Sequence, residues 1–580
     1  MTTPAQDGMP TTRGMNLFRA DPNLAFVCGS VMAADVLERA RPELDAMGTL
    51  AGGELDALAA DADRTPPTLR AFDASGHRVD EVVFHPAYRE MERIAFCRFG
   101  LAAMSHREGV LGWPGRVPHV VKYALSYLFA QAEFGILCPV SVTDSTSRML
   151  RWFGSEELRA RYLPGLTATD PDALRQGTQW MTERTGGSDV GASTTRACRD
   201  ADGTWRLHGE KWFCSNANAD MAITLARPEG APAGTSGLAM FLVLRLLPDG
   251  TRNAWTINRL KDKLGSRSMA TGEVTYAGAV AYPVGDLARG FKQMMEMVNV
   301  SRLSNAMRAA GIMRRCVVES VVHARGRSAF GKALIELPLL RASLLEMLLD
   351  AEAAVSVVLH AAAALDRADA GSAADRALVR ILTPLAKLWI TYRARAVAGD
   401  AMSVRGGNGY IEEWPNGRLL RDAHLGAIWE GTSSVVALDV QRAILKDGGL
   451  DALAGYARER LATVREPAAT PWMREIGAAF DDLRRRAEAW SARDDAEREL
   501  DARPAAERLY HLFATSLLLA EGQRLAAARG GARKLLAAGL YARRWLGASA
   551  GPVFSPAALR WLDALVDWAE VPEHALADAR

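Results

Sequence analysis

Through most of residues 1–180, apolar residues recur at spacings of three and four. Examples are 88–106 (YREMERIAFCRFGLAAMSH) and 120–138 (VVKYALSYLFAQAEFGILC), and this rhythm predicts helices with one buried face. Pro66-Pro67, Pro114-Gly115 and Pro164-Gly165 punctuate the run. From about 181 to 288 the pattern shortens. The apolar runs 221–226 (MAITLA), 238–244 (LAMFLVL) and 273–277 (EVTYA) lie between turn signals such as Asp202-Gly203 and Pro248-Asp249-Gly250, which predicts strands. Helical spacing returns in 289–446, most clearly over 291–326 and 336–367. It continues through 447–580, where Pro467, Pro471, Pro504, Pro552, Pro556 and Pro572 act as breaks. The chain therefore reads as mostly α with a central β-domain, in four parts: 1–180, 181–288, 289–446 and 447–580.

Composition narrows the picture. Of 580 residues, 49% are hydrophobic and 24% charged, with a formal charge of +2. This fits a globular protein of several domains and excludes a strongly basic nucleic-acid binder by bulk charge, though not a local basic face. Cys28, Cys97, Cys138, Cys198, Cys214 and Cys316 lie far apart with no CxxC pair, so neither a disulfide framework nor a zinc site is expected. His85, His106 and His119 are isolated and read as structural. The start, MTTPAQDGMP, lacks the cationic and apolar segments of a signal peptide. No run of about twenty apolar residues stands out, so no membrane span is expected. A cytoplasmic location follows from these readings.

Chemistry concentrates in 405–442, RGGNGYIEEWPNGRLLRDAHLGAIWEGTSSVVALDVQR. Gly406, Gly407 and Gly409 let backbone approach a bulky ligand closely. Glu430, beside Ile428 and Trp429 and before Gly431-Thr432-Ser433, stands where apolar surroundings raise a carboxyl toward general-base duty. Two more stretches flank the first predicted hairpin: MTERTGGSDV (181–190) and GEKWFCSN (209–216). Gly186 and Gly187 offer backbone N–H groups, Thr182 and Ser188 hydroxyls, and Phe213 with Ser215 a flat face beside a hydroxyl. On their own these residues also fit a β-turn followed by a buried aromatic strand. P-loop, HExxH and GxSxG patterns are absent, as is a strand-linked GxGxxG near the N-terminus.

Together and in this order, GGNGY, LLRDA and IWEGTS resemble the C-terminal signature of the acyl-CoA dehydrogenases. MTERTGGSDV and GEKWFCSN resemble that family's two flavin-contacting stretches. The resemblance implies an N-terminal helical domain, a β-barrel-like domain and a C-terminal helical bundle, with an extra helical domain after them. It implies FAD as cofactor and an acyl-CoA thioester as substrate. Glu430 would remove the α-proton while a hydride leaves the β-carbon for the flavin. Cofactor contacts would come from Met181, Thr182, Ser188, Phe213, Cys214, Ser215, Gly406, Gly407, Gly431, Thr432 and Ser434. Arg327 and Phe330, in ARGRSAFGKAL, resemble a pair that reaches the dinucleotide of a neighbouring subunit, which implies that the protein oligomerises. Three departures stand out. Phe213 replaces the usual Trp, Ser215 the usual Thr, and Ser403 a Gln common ahead of the glycines. A base on the helix before Arg302 is ruled out because Ser301 occupies that position.

Phe213, FHPAY at 84–88, the passage 246–268 and the C-terminal extension are similar to the AidB branch of the family. That likeness implies weak isovaleryl-CoA dehydrogenation, a homotetramer, an alkylation-response role and double-stranded DNA binding through the last domain. Between Gly522 and Leu562 the chain carries Arg524, Arg529, Arg533, Lys534, Arg543, Arg544 and Arg560 and no acid. The first six are candidates for a DNA-facing basic surface, although a solvated or subunit-contacting helix fits the charges as well. The alternatives are a catalytically weak flavoprotein that mainly binds DNA, and an acyl-CoA oxidase. The electron acceptor is unidentified, and no metal is expected.

Overall fold

The computed structural model describes residues 8–490, 492–529, 531–547 and 553–579, with the side chain of Arg529 outside the description. The chain divides into two compact units. One comprises Glu54–Pro118 and Glu133–Ser304; the other comprises the chain up to Gly53, His119–Ala132 and Asn305 onward.

The first unit is built on strands. A hairpin pairs β1 (Thr68–Phe72) with β2 (Arg78–Val83). Seven more follow: β3 (Gly177–Trp180), β4 (Arg196–Arg199), β5 (Trp205–Ser215), β6 (Met221–Pro228), β7 (Ala239–Leu244), β8 (Trp255–Leu260) and β9 (Thr271–Pro283). They pair in the order β3-β6-β4-β5-β9-β7, with β8 on β9. Because β6 also pairs with β7, β4, β5, β9, β7 and β6 close a circuit and leave no free edge among them. Two apolar layers hold the sheet. Trp180, Leu207, Cys214, Phe241, Trp255, Val274 and Tyr276 fill one; Ile223, Leu225, Met240, Leu242 and residues of helices Leu137–Phe153 and Glu156–Leu166 fill the other.

The second unit is helical. Gly290–Gly326, which enters from the first unit, precedes Pro338–Asp369 and Ala373–Arg405. Shorter helices Pro415–Gly426 and Ser433–Lys446 carry the signature stretch. Gly449–Leu461, Thr470–Trp490, Asp495–Arg529 and Arg533–Trp545 form the extension. Pro338–Asp369 is long and apolar enough to cross a membrane, yet the whole of its most apolar 18-residue window is buried. It is a core helix of the bundle, and the sequence reading overlooked its apolar length because Glu346, Asp350 and Glu352 interrupt it.

The architecture is the expected one: mostly helical, with a central β-domain and further C-terminal helices. The all-helical reading of 1–180 is corrected in several places. The β1–β2 hairpin interrupts it. The predicted helix 120–138 is broken between Ala130 and Leu137, and β3 closes the segment as a strand. The predicted helix 88–106 ends at Glu92, continues as a π-helical turn over Arg93–Arg98 and then dissolves into turns. The isolated histidines are structural. His85 caps helix Pro86–Glu92, His106 lies 2.7 Å from Asp144, and His119 lies 3.0 Å from Asp369.

Candidate active site

On the strand-built unit, the two predicted flavin stretches meet. The Trp212 N–H donates to the Thr182 carbonyl at 2.8 Å, which ties 181–190 to the middle of β5. A buried ion pair that the sequence reading missed locks them. Lys211 Nζ lies 2.8 Å from Glu183 Oε1, with both side chains almost wholly out of water. Glu183 also accepts from the N–H and hydroxyl groups of Thr194 and Thr195. Burial pushes its carboxyl up, but the Lys211 ammonium and these donors outweigh burial and hold it at about 2. Little in the sequence warned of it: Lys211 stands in the strand-like GEKWF, but Glu183 lies in the polar turn TERTGGSDV.

Beyond this pair, Arg184 to Asp189 are exposed. Gly187 lies so close to Thr182 that a Cβ there would meet the hydroxyl at 2.7 Å. Met181 packs half-buried on the second apolar layer, and Ser188 is exposed. The pairing of β5 with β9 shifts register between Lys211 and Cys214, and such an irregularity re-aims side chains. Phe213 is left 56% exposed on a strand whose neighbours Lys211 and Cys214 are buried. The Ser215 carbonyl is occupied by Thr178 Oγ1 at 2.7 Å and Trp180 Nε1 at 3.0 Å. Cys214 can offer a cofactor only its backbone. Its side chain is fully buried in the first apolar layer, with its thiol pushed well up by burial, so it presents no side chain to a cofactor.

On the helical unit, helix Ala373–Arg405 ends at Gly406, whose φ of 66° needs glycine, and the chain turns through Gly406–Tyr410. Gly406 and Gly407 are exposed, with open space where a Cβ would stand; Gly409 packs against the Met402 carbonyl. Beneath the turn, buried Arg405 pairs with Glu319, which also accepts from Thr12 and from Arg315 Nε at 2.9 Å. Arg327 precedes a tight hairpin in which Ser328 pairs with Ala333 and Ala329 with Lys332. At its tip Phe330 and Gly331 take φ of 54° and 76°, and the phenyl ring is 92% exposed. Nearby His323 is pushed down to about 4 by burial and by the Arg405 and Arg327 guanidinium groups.

Glu430 follows helix Pro415–Gly426 in a left-handed conformation, φ 56°, and Gly431 continues at φ 97°. The Ile428 and Trp429 N–H groups both donate to the Leu425 carbonyl. Asn305 Nδ2 donates to Gly426 O at 2.8 Å, the Arg308 guanidinium lies 4.6 Å from the Trp429 ring, and Lys387 Nζ donates to Gly431 O. Thr432 and Ser434 are exposed at the start of helix Ser433–Lys446, where no side chain caps the N-terminus. Its first N–H groups thus point outward for an anion.

Among the described residues, three of the six predicted basic side chains are not available to a surface. Arg533 is 3% exposed and forks onto Glu352; Lys534 is fully buried against Glu521 at 2.7 Å and Asn23; Arg544 pairs with Glu346 at 2.7 Å. These cations are spent on acids of neighbouring helices. Arg524 is exposed and donates to the Gly29 carbonyl, Arg543 is partly exposed, and the Arg529 side chain lies outside the described residues.

Comparison with known proteins bears on both sets. Residues 8–173 match the Adaptive response protein AidB N-terminal domain, 178–279 the Acyl-CoA dehydrogenase middle domain, and 288–445 the Acyl-CoA dehydrogenase C-terminal domain. AidB of Escherichia coli (strain K12) is 36% identical over 415 residues, which cover 70% of this chain and 73% of that protein. The chain belongs to the acyl-CoA dehydrogenase family. Acyl-CoA dehydrogenase family member 11 of Caenorhabditis elegans is 32% identical over 437 residues, 74% of this chain and 70% of that protein. The crystal structure of C. elegans ACDH-11 in complex with C11-CoA superposes with a TM-score of 0.85 at 26% identity, covering 96% of this chain and 94% of that one. Members of this oxidoreductase family bind FAD. Each unit by itself carries features that suit such a group: the strand-built unit an outward aromatic ring on β5, and the helical unit exposed glycine backbone, a helix N-terminus without a side-chain cap and an exposed Arg327 near an exposed Phe330.

Proposed function

We propose that the protein is an FAD-dependent dehydrogenase of acyl-CoA thioesters, with Glu430 as the base that removes the α-proton. The observation that carries this reading is the left-handed Glu430–Gly431 pair, held on both sides and set beside an apolar Trp429. FAD, when bound, accepts the hydride from the β-carbon. The chain supplies the rest. Phe213 gives a flat face, Gly186 and Gly187 give backbone donors, and the uncapped turn 432–434 takes a phosphate. Glu430 takes the proton and its backbone N–H is a donor for the developing enolate oxygen. Arg327 and Phe330, displayed on a strained hairpin, complete the site of another subunit in a homotetramer. A cytoplasmic location and an unidentified electron acceptor remain part of this proposal.

A short branched acyl chain such as isovaleryl is the first substrate proposed. The C11-CoA bound by the C. elegans neighbour brings longer chains into the same test. Anaerobic titration of the purified flavoprotein with isovaleryl-, butyryl- and undecanoyl-CoA should bleach the visible flavin band with at least one of them. Glu430→Gln should slow that bleaching by at least about 1000-fold, within the range for a lost catalytic base. Bleaching at the native rate in Glu430→Gln would remove the base assignment, and a protein that takes up no FAD would remove the whole reading.

Duplex DNA binding in an alkylation response is the second proposal, supported by the 36% identity to AidB. The burial of Arg533, Lys534 and Arg544 confines it to Arg524, Arg543 and Arg529 in the predicted set. Charge reversal at Arg524 and Arg543 should flatten the salt dependence of duplex binding. An unchanged slope would exclude these two.

A further inference from the structure

Lys387 is fully buried in the middle of helix Ala373–Arg405, between Ala386 and Leu388. An ammonium without water is costly unless its donors are engaged, so a lysine at this place has to hold something. Its Nζ donates to the carbonyl of Gly431, the residue immediately after Glu430. Glu430 itself is strained: a non-glycine residue at φ 56° persists only where its surroundings over-determine it. Upstream of Glu430 the turn is gripped by Asn305 on the Gly426 carbonyl and by Arg308 over the Trp429 ring. Downstream, Lys387 grips Gly431. Together these hold the chain on either side of a residue whose backbone direction sets where its carboxylate points.

We propose that Lys387 is a positioning residue for Glu430. By fixing the Gly431 carbonyl it keeps the Glu430–Gly431 pair in its left-handed course, so that the carboxylate meets the substrate α-carbon without searching. This rests on the reading of Glu430 as the base. A merely structural Lys387 would stabilise the bundle and leave the chemistry of the folded enzyme alone.

The test compares the native holoenzyme with Lys387→Met, Lys387→Arg and Gly431→Ala. Flavin reduction is followed by rapid mixing with isovaleryl-CoA, and amide hydrogen exchange is measured across 426–433 without substrate. Lys387→Met should retain FAD and half-saturate at a near-native isovaleryl-CoA concentration. It should reduce flavin on the order of 100-fold more slowly, the effect of misplacing a reacting group by about 1 Å, and exchange faster at 431–433. Lys387→Arg, which keeps charge and donor, should recover about tenfold of that loss. Native-rate reduction in Lys387→Met overturns the proposal. So does a loss in which FAD retention, half-saturation and rate fall together without recovery in Lys387→Arg. If Lys387→Met does not fold, Gly431→Ala decides, because a side chain is strained at the φ of 97° that Gly431 adopts; a native rate there overturns the proposal. Slow Glu430→Gln beside native-rate Lys387→Met sinks this proposal alone, whereas native-rate Glu430→Gln sinks the base assignment on which it stands.

Discussion

Glu183 and Lys211 place a full charge pair inside a β-domain, and the pair gives the fold a calculable sensitivity to acid. The carboxyl sits at about 2 in the folded chain against an ordinary 4.5. Its folded value is the lower one, so the unfolded chain binds more protons between these limits. The stabilisation is present above about pH 4.5 and is lost as pH falls toward 2. Glu183→Gln should abolish this part of the acid slope. It should also cost about 3–5 kcal/mol at pH 7, because Lys211 is left buried without its acid. Urea melts at pH 7, 4.5 and 3 decide it: native and variant curves should converge as pH falls. Curves that stay parallel would place the acid sensitivity elsewhere. Phe213 makes the complementary point. Its ring is the outward member of a β5 register shift, and the KWF text foretold the ring but not the irregularity that aims it.

At the scale of elements, the hairpin after Arg327 is the most exposed piece of candidate machinery. Phe330 combines a left-handed backbone with a ring 92% exposed, an arrangement that folding of this chain alone does not reward. Phe330→Asn should therefore keep or raise the melting temperature of the cofactor-free protein, since Asn tolerates that φ. It should speed FAD release about tenfold, the equivalent of a lost aromatic stack. Fluorescence recovery on dilution measures the release; an unchanged rate would deny the ring its role toward the cofactor. Elements of this kind differ in how well sequence shows them. Helix Gly290–Gly326 matches its predicted span because helical spacing sustained over 37 residues averages out local exceptions. The β1–β2 hairpin escaped because its first strand alternates only between exposed and half-buried positions, which gives too little contrast, although Asp73 and Gly76 mark its turn. The π-helical turn Arg93–Arg98 has no periodic signature of its own. The glycine turn was legible, since Gly406 and Gly431 occupy conformations that other residues resist.

At the scale of the whole chain, the tail shows why charge patterning is a poor guide to a surface. Arg533 and Glu352 stand 181 residues apart, so no local window pairs them, and an acid-free segment between Gly522 and Leu562 looks free when its counter-charges arrive from other helices. Helix Pro338–Asp369 supplies Glu346, Asp350 and Glu352 to Arg544, Arg393 and Arg533. The extension is thereby fastened to the helical unit by buried ion pairs as well as by the packing of Trp389, His511 and Trp545. These pairs are costly to break from one side. Arg533→Ala should strand Glu352 in the interior and cost about 3–5 kcal/mol. Arg533→Met with Glu352→Leu, which removes both charges and fills similar volume, should recover most of the loss. The measurement is thermal unfolding followed by limited proteolysis of the tail. If the basic residues served a DNA surface instead, Arg533→Ala would leave stability within about 0.5 kcal/mol, as exposed substitutions do, and weaken duplex binding alone. A destabilised Arg533→Ala rescued by the apolar pair would establish that this part of the basic sequence holds the extension in place.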